Sequence, residues 1–190
     1  MLDAIIYLDN NATTRPDDRV VAAMLPFFTS AYANPASPHL FGLSVKETVD
    51  DAINQVASLI NAKPTEIVFT SGATEAINMV LKGFPNQSRK HIVTTTAEHK
   101  AVLDTCESLD EYEVTYLEVD ADGFVPMAAY REAVTDNTLL VCVMIANNET
   151  GVLNPIREMA EIAHESGALF FTDATQAVGK IPVDVKELTV

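Results

Sequence analysis

The sequence predicts an α/β fold in which a mostly parallel sheet is covered by helices. Short runs rich in β-branched and apolar residues alternate along the chain with segments whose apolar residues have helical spacing. Residues 138–146 are an almost unbroken apolar run, which suits a strand that is buried on both faces. Strands that alternate with helices in this way are typical of parallel sheets.

Residues 66–75, EIVFTSGATE, combine a strand-like run with a turn of small residues. Ile67, Val68 and Phe69 predict a buried strand, and the small residues from Ser71 to Thr74 predict a tight turn that opens a helix. Free backbone N–H groups and the helix dipole at such a turn favour an anion, so we interpret it as a phosphate-binding turn. It is neither a dinucleotide fingerprint nor a Walker A loop. An ordinary strand-to-helix turn is an equally good interpretation of this segment alone.

The other elements follow from the same signals. Pro16, Asp17 and Asp18 predict the start of a helix, which Pro26 should kink or end unless the helix tolerates the lost hydrogen bond. Residues 34–42 predict a loop, and helical spacing predicts a helix over 44–61. Strands are predicted at 90–95, 113–119, 138–146 and, again buried, 168–172. Helices are predicted at 100–109 and 127–134, and from an Asn154 N-cap to Gly167.

Polar residues follow each predicted strand, and ligands of parallel sheets bind at the carboxyl ends of the strands. Four such loops predict one site with a phosphate-binding turn, an acid, an imidazole and two amides. The candidates are Ser71–Thr74, then Thr95, Thr96, Glu98 and His99, then the run from Asn147 to Thr150, and the run from Asp173 to Gln176. Each residue also has a structural interpretation: Asp173 could cap the next turn, His99 could start a helix, and Asn148 could satisfy backbone groups in a tight loop.

The composition excludes several classes of function. Apolar residues make up 48% of the chain and charged residues only 21%, which predicts a folded core rather than disorder. The net charge of −15 argues against direct nucleic-acid binding. We expect no transmembrane helix and no secretory signal, because no apolar run is long enough and no basic region precedes the apolar N-terminus. Two cysteines without C-x-x-C spacing predict a reducing cytoplasm.

The remaining histidines and the cysteines are interpreted as structural. His39, His91 and His164 show no metal-binding spacing, so no metal site is predicted and these residues should be structural or solvated. Cys142 lies in the most apolar predicted strand and Cys106 on a predicted helix, so both should be inert.

Six segments resemble the cysteine desulfurases of the NifS and IscS type. They are LDNNATT, NPASPHLFG, TSGATEAIN, AEHKAVLDTC, ANNETGVLNPI and DATQAVGKIPVDV, in that order along almost the whole chain. The resemblance implies a class V, fold-type I enzyme that uses pyridoxal 5′-phosphate (PLP), with helices on both faces of the sheet of its large domain. It also implies residues 1–15 as an N-terminal segment associated with the small domain, and 16–190 as the N-terminal part of the large domain.

The resemblance implies a role for each matched residue. Ala73 and Thr74 correspond to the phosphate binders, and His99 corresponds to the catalytic residue that stacks on the pyridine ring. Asn148 and Gln176 correspond to partners of the cofactor's phenolate oxygen. Asp173 corresponds to the carboxylate on the pyridine nitrogen, where an anion keeps the ring protonated and able to accept electrons.

The sequence departs from the family pattern in one respect. No S-x-H-K-type sequence with the Schiff-base lysine is present, and neither is the loop that carries the persulfide cysteine. Lys180 and Lys186 lie in a segment that matches the family sequence before the position of its Schiff-base lysine. We therefore expect an N-terminal half that is not active alone.

Three functions remain open. The first is a cysteine desulfurase that converts L-cysteine to L-alanine and an enzyme persulfide, for iron–sulfur cluster assembly or tRNA thiolation. It implies a sulfur-acceptor or scaffold protein as partner and a homodimer in the complete enzyme. The second is another class V enzyme, such as a selenocysteine lyase. The third is a non-catalytic fragment that acts as a binding or assembly partner.

Overall fold

The structure, a computed structural model, describes residues 6–84 and 88–190. They form two units: one contains the residues up to Ser58 together with Lys63–Ile67, and the other contains Leu59–Ala62 and Val68–Val190. Every predicted site residue belongs to the second unit. No helix within the described residues is long and apolar enough to cross a membrane. The predicted boundary between residues 15 and 16 stays a prediction.

The first unit is helical. Helix α1 (Asp18–Thr29) begins after Asp17, whose Oδ1 accepts a hydrogen bond from the Arg19 backbone N–H at 2.8 Å. Pro26 lies inside α1, which therefore tolerates the lost hydrogen bond. Helix α2 (Leu40–Leu59) begins earlier than predicted, because Nδ1 of His39 accepts from the Gly42 N–H at 3.1 Å and so caps the first turn. Residues 40–42, predicted as loop, are helical, and a 3₁₀ turn, Pro64–Glu66, completes the unit.

A four-stranded parallel sheet forms the centre of the second unit. Its strands are β1 (His91–Thr95), β2 (Glu113–Leu117), β3 (Thr138–Cys142) and β4 (Leu169–Phe171), in the order β2-β1-β3-β4. In register, Val93 lies beside Thr115 and Val141, and Val141 lies beside Phe170. The helices are α3 (Ala73–Leu81), α4 (Lys100–Glu107), α5 (Met127–Ala133), α6 (Ile156–Glu165) and α7 (Val185–Leu188).

The sheet has an apolar core on each face. Val93 of β1 packs with Tyr130 of α5 and Met159 of α6, and the Tyr130 hydroxyl donates to the Met159 carbonyl at 2.6 Å. Neighbouring Ile92 instead packs with Ile77 of α3 and Val102 of α4. Because successive strand residues point to opposite faces, this division confirms the predicted α/β architecture, with helices on both faces.

The prediction of a buried strand at Ile67–Phe69 is wrong. These residues are not assigned to a strand, and Val68 and Phe69 are 69% and 55% exposed. The composition suits a strand, but within the described residues the sheet ends at β2 and β4 and no strand pairs with this segment. β4 was also predicted to be buried, yet Leu169 is 48% exposed, because β4 pairs with β3 alone.

The start of α6 also differs from the prediction. Pro155 rather than Asn154 is the N-cap, and it provides no side-chain cap. The Asn154 amide donates to the Met144 carbonyl at 2.8 Å, so this side chain fixes the loop after β3 instead. Gly167 ends the helix as predicted, with a φ of 69° that favours glycine.

Candidate functional site

The carboxyl ends of β1, β3 and β4 lie at one edge of the sheet. The ladder between β3 and β4 continues past both strands, because the Ile145 N–H donates to the Asp173 carbonyl at 3.0 Å. On the other side, the Asn147 amide donates to the Ala97 carbonyl at 2.8 Å. The loop that follows β1 and the loop that contains Asp173 therefore both contact the segment that follows β3.

Asp173 is a buried carboxylate in the loop after β4, with 9% of its surface exposed. Its Oδ1 accepts a hydrogen bond from the Thr175 N–H at 2.8 Å. The side chain therefore caps the following turn, as its structural interpretation predicted, and this bond fixes the carboxylate at the sheet edge.

His99 is the N-cap of α4 and is exposed. Its Nδ1 accepts a hydrogen bond from the Ala101 N–H at 3.1 Å. Because Nδ1 acts as an acceptor, the neutral ring carries its proton on Nε2. The helix-start interpretation of His99 is thus confirmed, and the bond leaves an oriented N–H on an exposed ring.

The N-terminus of α3 has the features of an anion site. Gly72 is its N-cap and no side chain caps the helix. In the part of the chain that the structure describes, Ala73 and Thr74 lie in the first turn of α3, where backbone N–H groups have no partner within the helix, and both residues are exposed. Glu75 accepts from the Ser71 N–H at 2.6 Å, and hydrogen bonds from Ser71 lower the pKa of Glu75. A Cβ added at Gly72 would meet no atom within 4 Å, so the turn is open there.

The two amide candidates are half-buried at the same sheet edge. Asn148 follows Asn147, and Oε1 of Gln176 accepts a hydrogen bond from Nζ of Lys180. Asn147, rather than Asn148, satisfies the backbone of this loop. Its Oδ1 accepts from the N–H groups of Glu149 and Thr150, both at 2.9 Å.

Glu98 is a candidate residue of this edge to which the sequence analysis assigned no role. It is 6% exposed, and burial raises its pKa to about 8. The signal was an acid between a buried strand and His99, where the surrounding residues are apolar or hydroxylated.

The donor set fits a phosphorylated aromatic cofactor. Ala73 and Thr74 present two amide N–H groups and a hydroxyl at the start of a nine-residue helix, which suits a phosphate. Asp173 presents a carboxylate that suits a protonated ring nitrogen, and His99 presents an exposed ring. Asn148 and Gln176 supply amide groups for a ring oxygen.

Known proteins resemble this chain over almost its whole length. The family model "Aminotransferase class-V" matches residues 6–190. The cysteine desulfurase IscS of Shewanella denitrificans is 49% identical over 97% of this chain and 48% of its own length. A solved structure of a NifS-like protein superposes with a TM-score of 0.92 at 39% identity, covering 97% of this chain and 53% of that one.

A second solved structure, described as SspA in complex with cysteine, has a TM-score of 0.93 at 33% identity. The match covers 97% of this chain and 55% of the SspA chain. The chain thus spans about half the length of the relatives it matches. With a family model that covers residues 6–190, the chain belongs to the aminotransferase class-V family.

Proposed function

We propose that this chain is the cofactor-binding part of a PLP-dependent cysteine desulfurase. In this reaction the C–S bond of L-cysteine breaks and a C–H bond forms, which gives L-alanine. The sulfur moves to an enzyme thiol, which becomes a persulfide. The observation that carries the proposal is the placement of Asp173 and His99 on loops that both contact the segment after β3, in a chain 49% identical to a cysteine desulfurase.

The phosphate of PLP would bind to the N–H groups of Ala73 and Thr74 and to the Thr74 hydroxyl. Asp173 would accept a hydrogen bond from the protonated ring nitrogen, and Asn148 and Gln176 would contact the phenolate oxygen. When bound, PLP supplies an electron sink for the breaking of bonds at the substrate's carbon atoms. The capping bond from Thr175 holds Asp173 in place for this contact, so little ordering of this side chain is needed on binding.

His99 would be the catalytic residue of this half of the enzyme. Its Nδ1 is occupied by the Ala101 N–H, so the ring is oriented before any ligand binds. The proton on Nε2 is then the one that the exposed His99 ring could donate to a group above the ring of the bound cofactor.

The physiological setting follows from the same proposal. A persulfide must reach an acceptor, so we propose a sulfur-acceptor or scaffold protein as partner, for iron–sulfur cluster assembly or tRNA thiolation. We also propose a homodimer for the complete enzyme, in the cytoplasm. The large excess of acidic residues, 27 against 12 basic ones, supports a protein acceptor rather than direct contact with nucleic acid.

A chimera tests the proposal. Residues 1–190 joined to the remaining part of the Shewanella denitrificans cysteine desulfurase should bind PLP and release alanine from L-cysteine. Asp173→Ala should lower the rate of alanine formation by about 100-fold or more, since it removes the charge placed against the ring. Alanine is measured by chromatography, and cofactor binding by absorbance.

Asp136→Asn is the matched control, because Asp136 is exposed and follows α5, away from this edge. It should leave the rate unchanged. A folded chimera that binds PLP but forms no alanine from cysteine would overturn the desulfurase proposal. Near-normal turnover in the Asp173→Ala chimera would overturn the role of Asp173.

A further inference from the structure

Glu98 lies in the loop that joins β1 to α4, directly before His99. Its side chain is turned inward, with only 6% of its surface exposed, while its neighbours Thr96 and His99 are exposed. A carboxyl group in such a position needs either charged partners or a proton, because burying a charge is costly.

The hydrogen bonds of Glu98 are distributed unequally. Oε1 accepts from the Met144 N–H at 2.8 Å and from the Thr95 hydroxyl at 3.3 Å. Oε2 is also buried, but it has no hydrogen-bond partner among the residues that the structure describes. Oε1 therefore joins the end of β1 to the segment after β3. Oε2 lies where a negative charge would have no hydrogen-bond donor among the described residues. An unpaired hydroxyl at Oε2 costs far less than an unpaired carboxylate oxygen.

One nearby ionisable group also disfavours a negative charge on Glu98. Asp173 acts on it from the loop after β4, and its negative charge adds to the effect of burial in raising the pKa of Glu98. The thiols of Cys142 on β3 and Cys106 on α4 also interact electrostatically with Glu98, and both thiols are buried. The hydrogen bond from Met144 acts in the opposite direction but does not outweigh burial.

We propose that Glu98 is a positioning residue that carries a proton at neutral pH. As a neutral acid it would join the ends of β1 and β3 behind His99, and it would not add a second negative charge next to Asp173. The inference concerns the site of the proposed function, but it can be tested without cofactor or substrate. Its failure is therefore distinguishable from failure of the proposed function.

The test is the pH dependence of stability in the 190-residue chain. An unfolded glutamate loses its proton near pH 4.5, whereas folded Glu98 keeps it to about pH 8. Between these values the folded state holds one more proton, so this group's contribution to the free energy of unfolding falls as pH rises. Glu98→Gln keeps a neutral side chain of the same shape. The ratio of the parent's unfolding constant to that of Glu98→Gln should rise by up to tenfold per pH unit from 5 to 8.

Urea unfolding followed by circular dichroism at several pH values gives these constants. Glu118→Gln is the matched control, since Glu118 also accepts from a threonine at the end of β1, Thr96, but is exposed. It should not alter the pH slope.

A second measurement uses the unmutated chain: ¹³C NMR of labelled glutamate carboxyl groups should show one glutamate that titrates near pH 8. Equal pH slopes in the parent and Glu98→Gln, or the absence of such a glutamate signal, would overturn the proposal.

Discussion

At the scale of single residues, the two cysteines show how burial determines chemical reactivity. Cys106 is 2% exposed on α4, and burial raises its pKa to about 11. Cys142 is fully buried in β3, and burial raises its pKa well above the ordinary value of 9.0. Because the thiolate is the nucleophile, both thiols are unreactive at neutral pH. A sulfur carrier must also reach an acceptor, which neither side chain can do from the core.

We therefore predict that neither cysteine carries the transferable sulfur. In the chimera proposed above, replacement of Cys106 and Cys142 by Ala, separately and together, should leave persulfide formation from L-cysteine measurable in every variant that stays folded. Persulfide is detected by alkylation and mass spectrometry, and folding by circular dichroism. Complete loss of the persulfide in a folded Cys106→Ala or Cys142→Ala variant would contradict the prediction.

At the scale of elements, the sequence predicted those parts that depend on local pattern. The apolar run of β3 and the helical spacing of α2 identify their elements, because burial and periodicity leave a signal within the segment itself. Residues 67–69 have strand composition, yet a strand also requires a hydrogen-bonded neighbour, which no local pattern specifies. Glu98 received no role from the sequence for a related reason, since its burial and its contacts with Thr95 and Met144 depend on how separate strand ends pack.

Arg89 joins elements that are distant in the sequence. Its Nη1 donates to the carbonyls of Thr138 at 3.3 Å, Ser166 at 3.2 Å and Gly167 at 2.6 Å. One guanidinium group thus connects the start of β3 to the end of α6 from a position just before β1. The three carbonyls would lose a charged donor if this side chain were removed.

Arg89→Ala should lower the free energy of unfolding by about 2–3 kcal/mol, the loss expected for hydrogen bonds from a charged group in a partly buried position. Arg131→Ala is the matched control. Arg131 contacts Glu158 at 2.9 Å with both side chains about half exposed, so its loss should cost less than about 1 kcal/mol. Urea unfolding measures both changes, and equal losses in the two variants would contradict the assignment.

At the scale of the whole molecule, exposed apolar surface and net negative charge have opposite effects on association between molecules. In the first unit, α1 has no buried residue, and Leu25 and Phe28 are 57% and 74% exposed. In the second unit, Val68, Phe69 and the edge residue Leu169 are exposed as well. Contiguous exposed apolar surface favours association, whereas a net charge of −15 opposes it by repulsion between molecules.

We predict that the 190-residue chain self-associates and that salt strengthens the association. Raising the ionic strength to about 1 M shortens the screening length to about 3 Å, so repulsion weakens while apolar contacts remain. Sedimentation velocity at increasing protein concentration and at two salt concentrations measures this. Replacing both Leu25 and Phe28 with Ser should reduce association without unfolding the chain, because neither side chain is buried. Phe124→Ser, which removes an exposed aromatic ring in the second unit, should have a smaller effect. A chain that stays monomeric at high salt would contradict the prediction, and equal effects of the two variants would exclude α1 as the associating surface.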